Sequence, residues 1–336
     1  MSTDTVTAIR SPGNISLPAH VVAFEVSKHE LVVHSLPADR QCSIVNTPQA
    51  VRRLLKAEIR QNRKAGLGPL LVVCEATGGY ERAVLEQAVQ LGLDAHRAHG
   101  SRVRAFARYK GVKAKNDPID AGLLARFGMQ TENLIRYKPP SEQSEALRAL
   151  QQRREDLKKM LQAEANRLDH ARNAHVLKSL KTSIKTLAKM VDEIEAEIAR
   201  LVESEAAMAR KAALMCTVPG VGPTVTTTLL AQMPELGTLP RTTVAALAGL
   251  APFDNDSGQR KGRRHISAGR SAVRRCLYMA ALTAIRICPH LRDYAARIQA
   301  RGNPAKVAIT AVMRKLIVII NAVLASQQPC NYAKQA

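Results

Sequence analysis

From Leu177 the apolar residues recur at Leu177, Leu180, Ile184, Leu187, Val191, Ile194, Ile198 and Leu201, in steps of three and four without a break. That spacing draws a heptad seam along one face of a helix of roughly seven turns, and it fits neither a strand nor a loop. An earlier series, Leu147, Leu150, Leu157, Leu161 and Leu168, keeps the same spacing except where Arg154 interrupts it, and a turn is expected near Asn173. Residues 141–205 are therefore expected to form a coiled coil. The two helices make a hairpin or pair with another protomer, and plain helical packing within one subunit explains the pattern equally.

The chain ahead of this seam has a different period. HVVAFEV and ELVVHSL read as strands around the turn at Ser27-Lys28-His29, and a third extended piece covers 41–45. Pro48 then opens a helix over 48–64, with Val51, Leu54, Leu55 and Ile59 at helical spacing. A Gly-Pro loop leads to the wholly apolar strand PLLVVC, and a further helix and strand follow. An antiparallel meander followed by alternating helices and strands predicts an α/β domain with a mixed sheet over 19–135, preceded by a polar flexible arm over 1–18. Small-residue-rich helices fill 206–330, so the fold class is α/β followed by an all-α part.

Lys and Arg number 50 against 28 acids, a net charge of +22 that favours a polyanionic partner. From Ser257 onward the sole acid is Asp293, against fifteen Lys and Arg. Trp is absent and aromatics make up 3% of the chain, which argues for contacts to a phosphate backbone over base stacking. The six cysteines show neither CxxC spacing nor His pairing, which argues against zinc and fits a reducing cytosol. The run LIVIINAVLA is expected to be too short to span a bilayer, and nothing near residue 1 reads as a secretion signal.

Four acids run against this field. Glu25 sits inside HVVAFEV, where an unmatched carboxylate would cost several kcal/mol, so a cation must meet it: a basic side chain such as Lys28, or a metal shared with Glu75. Glu75 closes LLVVCE just before Ala-Thr-Gly-Gly, at the strand end where α/β sheets place ligands. Asp117 and Asp120, three apart at a helix start, can share one face, although N-capping explains the same letters. Arg97, Arg102, Arg104, Arg108, Lys110, Lys113 and Lys115 precede that pair with no acid between, as a strip along which a nucleic-acid backbone could approach.

Two features of the last third complete the set. Gly220 and Gly222 in VPGVGP can form a helix-hairpin-helix turn whose amides face phosphates, or simply a turn between packed helices. Ser257, in Asp-Ser-Gly, is followed by Arg260, Lys261, Arg263 and Arg264, with Arg270 and Arg274 beyond; it is either a turn residue or a nucleophile beside a guanidinium cluster.

Six segments in this order, VVAFEVSKHELVV, VVCEATGGYE, KAKNDPIDAGLLARF, VPGVGPTVTTTLLAQMPELG, LAGLAPFDNDSGQRKGRRHISAGR and NPAKVAITAVMRKLIVIINAVL, resemble the insertion-sequence transposases with an Asp-Glu-Asp-Asp catalytic set, the family associated with bridge-RNA-guided recombination. The resemblance spans nearly the whole chain. It implies an RNase H-like (Holliday-junction-resolvase-like) N-terminal domain, a coiled coil, and a helical C-terminal domain carrying a catalytic serine. It also implies Mg²⁺ held by Glu25, Glu75, Asp117 and Asp120, attack of Ser257 on DNA through a covalent phosphoserine, and dimers assembling into tetramers. Donor and target DNA and a structured guide RNA are the implied partners, in the prokaryotic cytoplasm at the nucleoid. Glu25 departs from the family pattern, which has Asp there, and extends the carboxylate by one methylene. A junction-cleaving nuclease using water and a non-catalytic nucleic-acid-binding relic are the alternative readings.

Overall fold

A computed structural model describes residues 14–15, 17–112, 117–253, 265–267 and 269–331. The chain divides into two compact units, one ending at Pro139 and the other beginning at Pro140.

In the first unit, β1 (Asn14–Ile15) is followed by β2 (His20–Val26), β3 (Glu30–Leu36), β4 (Arg40–Val45), α1 (Pro48–Lys64), β5 (Leu70–Glu75), α2 (Arg82–Gln90), β6 (Asp94–Ala98), α3 (Gly100–Tyr109), α4 (Asp117–Gln130) and β7 (Leu134–Ile135). Five strands form one sheet in the order β4-β3-β2-β5-β6, antiparallel on the β4 side of β2 and parallel from β2 through β6. The arm expected over 1–18 does not run free at Asn14–Ile15, which pairs antiparallel with Leu134–Ile135.

Side chains alternate across a strand, so the sheet has two apolar faces. One buries Val22, Phe24, Val72 and Cys74 with Val51 and Leu55 of α1 and Val84 and Leu85 of α2. The other buries Val21, Ala23, Leu71 and Val73 with Val103 of α3 and Leu124 and Phe127 of α4. Helix α1 starts where its letters say it should: Thr47 accepts from Ala50 N at 3.4 Å, Pro48 occupies the first turn, and Arg63 and Lys64 sit at the carbonyl end.

A polar knot ties α1 to the starting end of β2. Glu58, buried on α1, lies 3.1 Å from His20 Nε2, accepts from Ser35 Oγ at 2.8 Å and from Arg40 Nη2 at 2.9 Å. Burial pushes the Glu58 carboxyl up, but hydrogen bonds from His20 and Ser35 and the Arg40 charge outweigh it and hold the group below its ordinary value.

The second unit consists of α5 (Glu142–His170), α6 (Ala174–Ser204), α7 (Ala206–Cys216), α8 (Pro223–Gln232), α9 (Arg241–Leu247), β8 (Pro252–Phe253), β9 (His265–Ile266), α10 (Ser271–Ile287), α11 (Pro289–Ala300) and α12 (Ala305–Ser326). Asn173 caps α6, accepting from His175 N at 2.9 Å, and α6 folds back along α5, so the two long helices form a hairpin within one chain. Leu147 packs with Ile198 and Val202 in its seam, and Leu157, Val191 and Leu180 are buried farther along it. Arg154, the interruption in the leucine series, is itself buried and donates from Nε to Glu195 Oε1 at 2.6 Å. Towards the turn the seam opens: Leu161, Leu168, Leu177 and Ile184 are only half-buried.

The run LIVIINAVLA is part of a longer helix, α12. The helix runs 22 residues with a mean hydropathy of 2.1 over its most apolar window, long and apolar enough by those measures to cross a membrane. Its apolar residues are occupied otherwise, since Val312, Leu316, Ile317 and Ile320 are fully buried among α7 to α11. Asn321, also buried, accepts from Gly237 N at 2.9 Å and donates to Leu239 O at 2.8 Å, which no lipid-facing position would require. It is the core helix of this unit.

Candidate catalytic and nucleic-acid site

Register brings the first two acids together. Strands β2 and β5 pair in parallel with Phe24 opposite Cys74, so the next residues, Glu25 and Glu75, stand side by side at the carboxyl ends of neighbouring strands. Adjacent strands lie about 4.8 Å apart, and parallel partners point to the same face. That face is the one covered by α3 and α4, since Glu25 and Glu75 keep the parity of Val21, Ala23, Leu71 and Val73. Both acids are half-buried.

The third and fourth acids arrive with α4. A methyl at Gly128 would sit 2.8 Å from Val73 Cγ2 and 3.0 Å from Val21 Cγ1, and one at Gly122 would sit 3.5 Å from His34 Nδ1, opposite Ala23. Going from Gly128 back to Gly122 therefore follows β2 from Val21 towards its carboxyl end. At about 1.5 Å per helical residue against about 3.3 Å per strand residue, the first turn of α4 reaches the level of Glu25. Asp120, half-buried, lies in that turn, and the backbone of Asp117 opens it; the Asp117 side chain lies outside the described residues.

Glu75 has a built environment. A methyl at Gly100 would overlap Glu75 Oε1 and would lie 3.2 Å from Cδ and 3.6 Å from Arg104 Nη2. Gly100 is the first residue of α3, so this carboxylate rests against a helix start and beside a guanidinium, both favourable to its charge. Among the described residues no group of three or more His, Cys, Asp or Glu is placed to hold a metal ion. The pair Glu25 and Glu75 does offer the carboxylate oxygens that Mg²⁺ takes, with Asp120 at the same end of the sheet.

The basic strip is exposed along α3 at Arg102, Arg104 and Arg108, with Lys110 just beyond. The Arg102 guanidinium lies 5.9 Å from the Phe127 ring and the Lys110 ammonium 5.5 Å from the Phe106 ring, so each charge is held over an aromatic face. Arg97 is committed to Glu81 at 3.5 Å. Lys113 and Lys115 lie outside the described residues.

Two residues of this region escaped the sequence reading. Glu81, buried, accepts from Thr77 N at 3.1 Å and Gly79 N at 2.9 Å and so shapes the turn after Glu75; an acid following a Gly-Gly turn was the available signal. His96 lies buried on the acidic face of the sheet, donating from Nδ1 to Ile135 O at 2.8 Å. Burial pushes its pKa down, the Ile135 carbonyl opposes the shift, and the nearby Arg102 adds to it. A lone histidine in a strand gave no signal.

In the second unit, the turn between α7 and α8 separates its two glycines. Gly220, at φ +79°, is wedged against α10: a methyl there would overlap Ala280 O and lie 2.7 Å from Ala284 N. Gly222 caps α8 with open space where a methyl would go. Arg270 is ion-paired with Glu235, and Arg274 is half-buried on α10. Ser257, Arg260, Lys261, Arg263 and Arg264 lie outside the described residues, between β8 and β9, which pair antiparallel through Phe253 and His265.

A mixed sheet with adjacent acids at its carboxyl edge and a basic helix beside them is an arrangement that can set carboxylates against a phosphate backbone. Comparison with known families agrees in both units: a transposase profile of the IS110 DEDD type matches residues 22–175, and the profile described as Transposase IS116/IS110/IS902 family matches residues 212–296. Together they span more than half the chain, which belongs to the IS110 transposase family and is a DNA transposase. It is 27% identical over 264 residues to the pilin gene-inverting proteins of Moraxella bovis and Moraxella lacunata, covering 77% of this chain and 81% of each relative. An uncharacterized 42 kDa protein of insertion element IS900 from Mycobacterium paratuberculosis is 30% identical over 152 residues, 43% of this chain and 37% of that protein.

Proposed function

We propose that this transposase recombines DNA by serine attack, with the acids of the RNase H-like unit serving the same reaction. Ser257 Oγ forms a bond to a backbone phosphorus as the bond from phosphorus to a deoxyribose oxygen breaks; the hydroxyl proton leaves to a base, and the departing oxygen takes up a proton. Reversal on a second strand rejoins the DNA and frees the serine. The guanidinium groups of Arg260, Arg263 and Arg264 suit the charge that builds on the phosphoryl oxygens. Glu25, Glu75, Asp117 and Asp120 would hold Mg²⁺, which when bound stabilises charge on a phosphate.

The observation that carries the acids' part of this reading is the in-register pair Glu25 and Glu75 at the carboxyl edge of a parallel strand pair, levelled with the start of α4; the part of Ser257 rests on the family resemblance. The inverting activity in the names of the Moraxella relatives supports conservative cutting and rejoining. The half-buried seam near the hairpin turn supports a dimer, and the family resemblance implies that acids and serine come from different protomers. A structured RNA that pairs with donor and target DNA would supply the sequence specificity, which fits a chain with few base-stacking side chains.

Ser257→Ala is expected to abolish covalent protein–DNA adducts and to leave DNA binding intact; an adduct that persists in this variant refutes the nucleophile. A junction nuclease using water shares the acidic edge, and recovery of religated product excludes it. Sequencing of RNA that co-purifies with the protein tests the guide: a single structured species supports it, and random cellular RNA refutes it.

A further inference from the structure

Helix α1 carries six cations, Arg52, Arg53, Lys56, Arg60, Arg63 and Lys64, and all are exposed. At about 100° per residue they occupy roughly a third of the helix circumference, turned away from Val51 and Leu55. The only acid on the helix is Glu58, buried and already bound by His20, Ser35 and Arg40. Arg52 donates to Gln87 and Gln90 at 3.3 Å. Among the described residues the other five meet no carboxylate, whereas Arg82, Arg97 and Arg136 of the same unit pair with Glu86, Glu81 and Asp94.

Such a row is unfavourable alone, since each like-charged pair one turn apart weakens a helix by about 0.2–0.5 kcal/mol. A polyanion relieves it. The apolar side of α1 is taken up by the sheet, so the helix cannot lie in a lipid surface as a free amphipathic helix does. No aromatic residue stands between Thr47 and Gly68, which leaves phosphates and not bases as the matching groups. From Arg53 to Lys64 the row runs about 16 Å, the length of about five base pairs.

We propose that this face of α1 grips the phosphate backbone of duplex DNA. It lies on the side of the sheet opposite Glu25 and Glu75, so the duplex it holds is a segment other than the one presented to the acids. A recombinase must keep two segments in place while strands change partners, and α1 supplies one of the two holds.

The test uses the full chain with Arg53→Gln, Lys56→Gln and Arg60→Gln together. Glutamine keeps the helix propensity, and Arg63 and Lys64 remain to complement the helix end. Binding of a labelled duplex of about 30 base pairs is followed by fluorescence anisotropy from about 50 to 300 mM salt, with each lost phosphate contact worth about 0.9 in the slope of log K against log salt. The slope is expected to become shallower by about 2 to 3 with an unchanged thermal melt. If the triple variant melts early, the Lys56→Gln, Arg60→Gln double replaces it, with an expected change of about 2. An unchanged slope for DNA overturns the proposal, including the case in which affinity for a structured RNA falls instead. The readout is binding alone, so it stands or falls apart from the serine chemistry, which the adduct assay reads.

Discussion

The two glycines of the turn between α7 and α8 give the sharpest test of what that turn is for. Gly220→Ala forces a residue with a side chain to φ +79°, which costs about 1–2 kcal/mol, and drives its methyl into Ala280 O and Ala284 N on α10, an overpacking cost of about 1–3 kcal/mol. The expected loss is about 2–5 kcal/mol. For a unit of this size each kcal/mol moves the midpoint by about 2–4 °C, so its melt should fall by about 5 to 15 °C in differential scanning calorimetry. Gly222→Ala, with nothing in the way, costs under about 1 kcal/mol as a changed helix cap and should move the melt by no more than about 4 °C. DNA affinity at about 25 °C should survive in Gly220→Ala while the unit stays folded. Equal melts for the two variants refute the wedge on α10; a Gly220→Ala protein that melts normally and loses DNA makes the turn a phosphate contact instead.

Gly100→Ala displaces the Glu75 carboxylate from the start of α3, and strand cleavage should fall by at least about tenfold while melting costs about 1–3 kcal/mol, as measured by a nicked-plasmid assay beside a thermal scan. Acidification should weaken the first unit in two steps. His96 is held neutral in the fold, so stability is complete above the unfolded histidine value of about 6.5 and declines as pH falls below it. Glu58 is held ionised, so its contribution is complete above about 4.3 and declines as pH falls through its lower folded value. His96→Gln should flatten the first limb in a pH series of thermal melts; a midpoint that does not move between about pH 7.5 and 4 contradicts both assignments.

Much of the fold was legible because period and punctuation agree. Pro48 and the spacing of Val51, Leu54, Leu55 and Ile59 mark out α1, and the steps of three and four along α6 leave no alternative to a long helix. Register was not legible: nothing in HVVAFEV or LLVVCE alone says that Phe24 faces Cys74, yet that pairing decides that Glu25 and Glu75 are neighbours. The knot of His20, Ser35, Arg40 and Glu58 was equally hidden, since it joins four residues by contacts between separate elements. LIVIINAVLA is only part of α12, because Arg314 and Lys315 sit within a helix that begins at Ala305; Lys315 reaches the Tyr294 ring at 4.8 Å. For the candidate site, the acids stood out because they oppose the charge of the chain, whereas the six cations of α1 were lost in a total of fifty.

The central place of α12 bears on how the second unit is made. Val273, Leu277, Ala281 and Ala284 of α10 are sealed in a core to which α12 contributes Val312, Leu316 and Ile320. During synthesis these surfaces wait, uncovered, until the segment Ala305–Ser326 leaves the ribosome. A message cut short ahead of that segment would yield a protein whose first unit keeps its core while the remainder exposes apolar surface and is open to proteases.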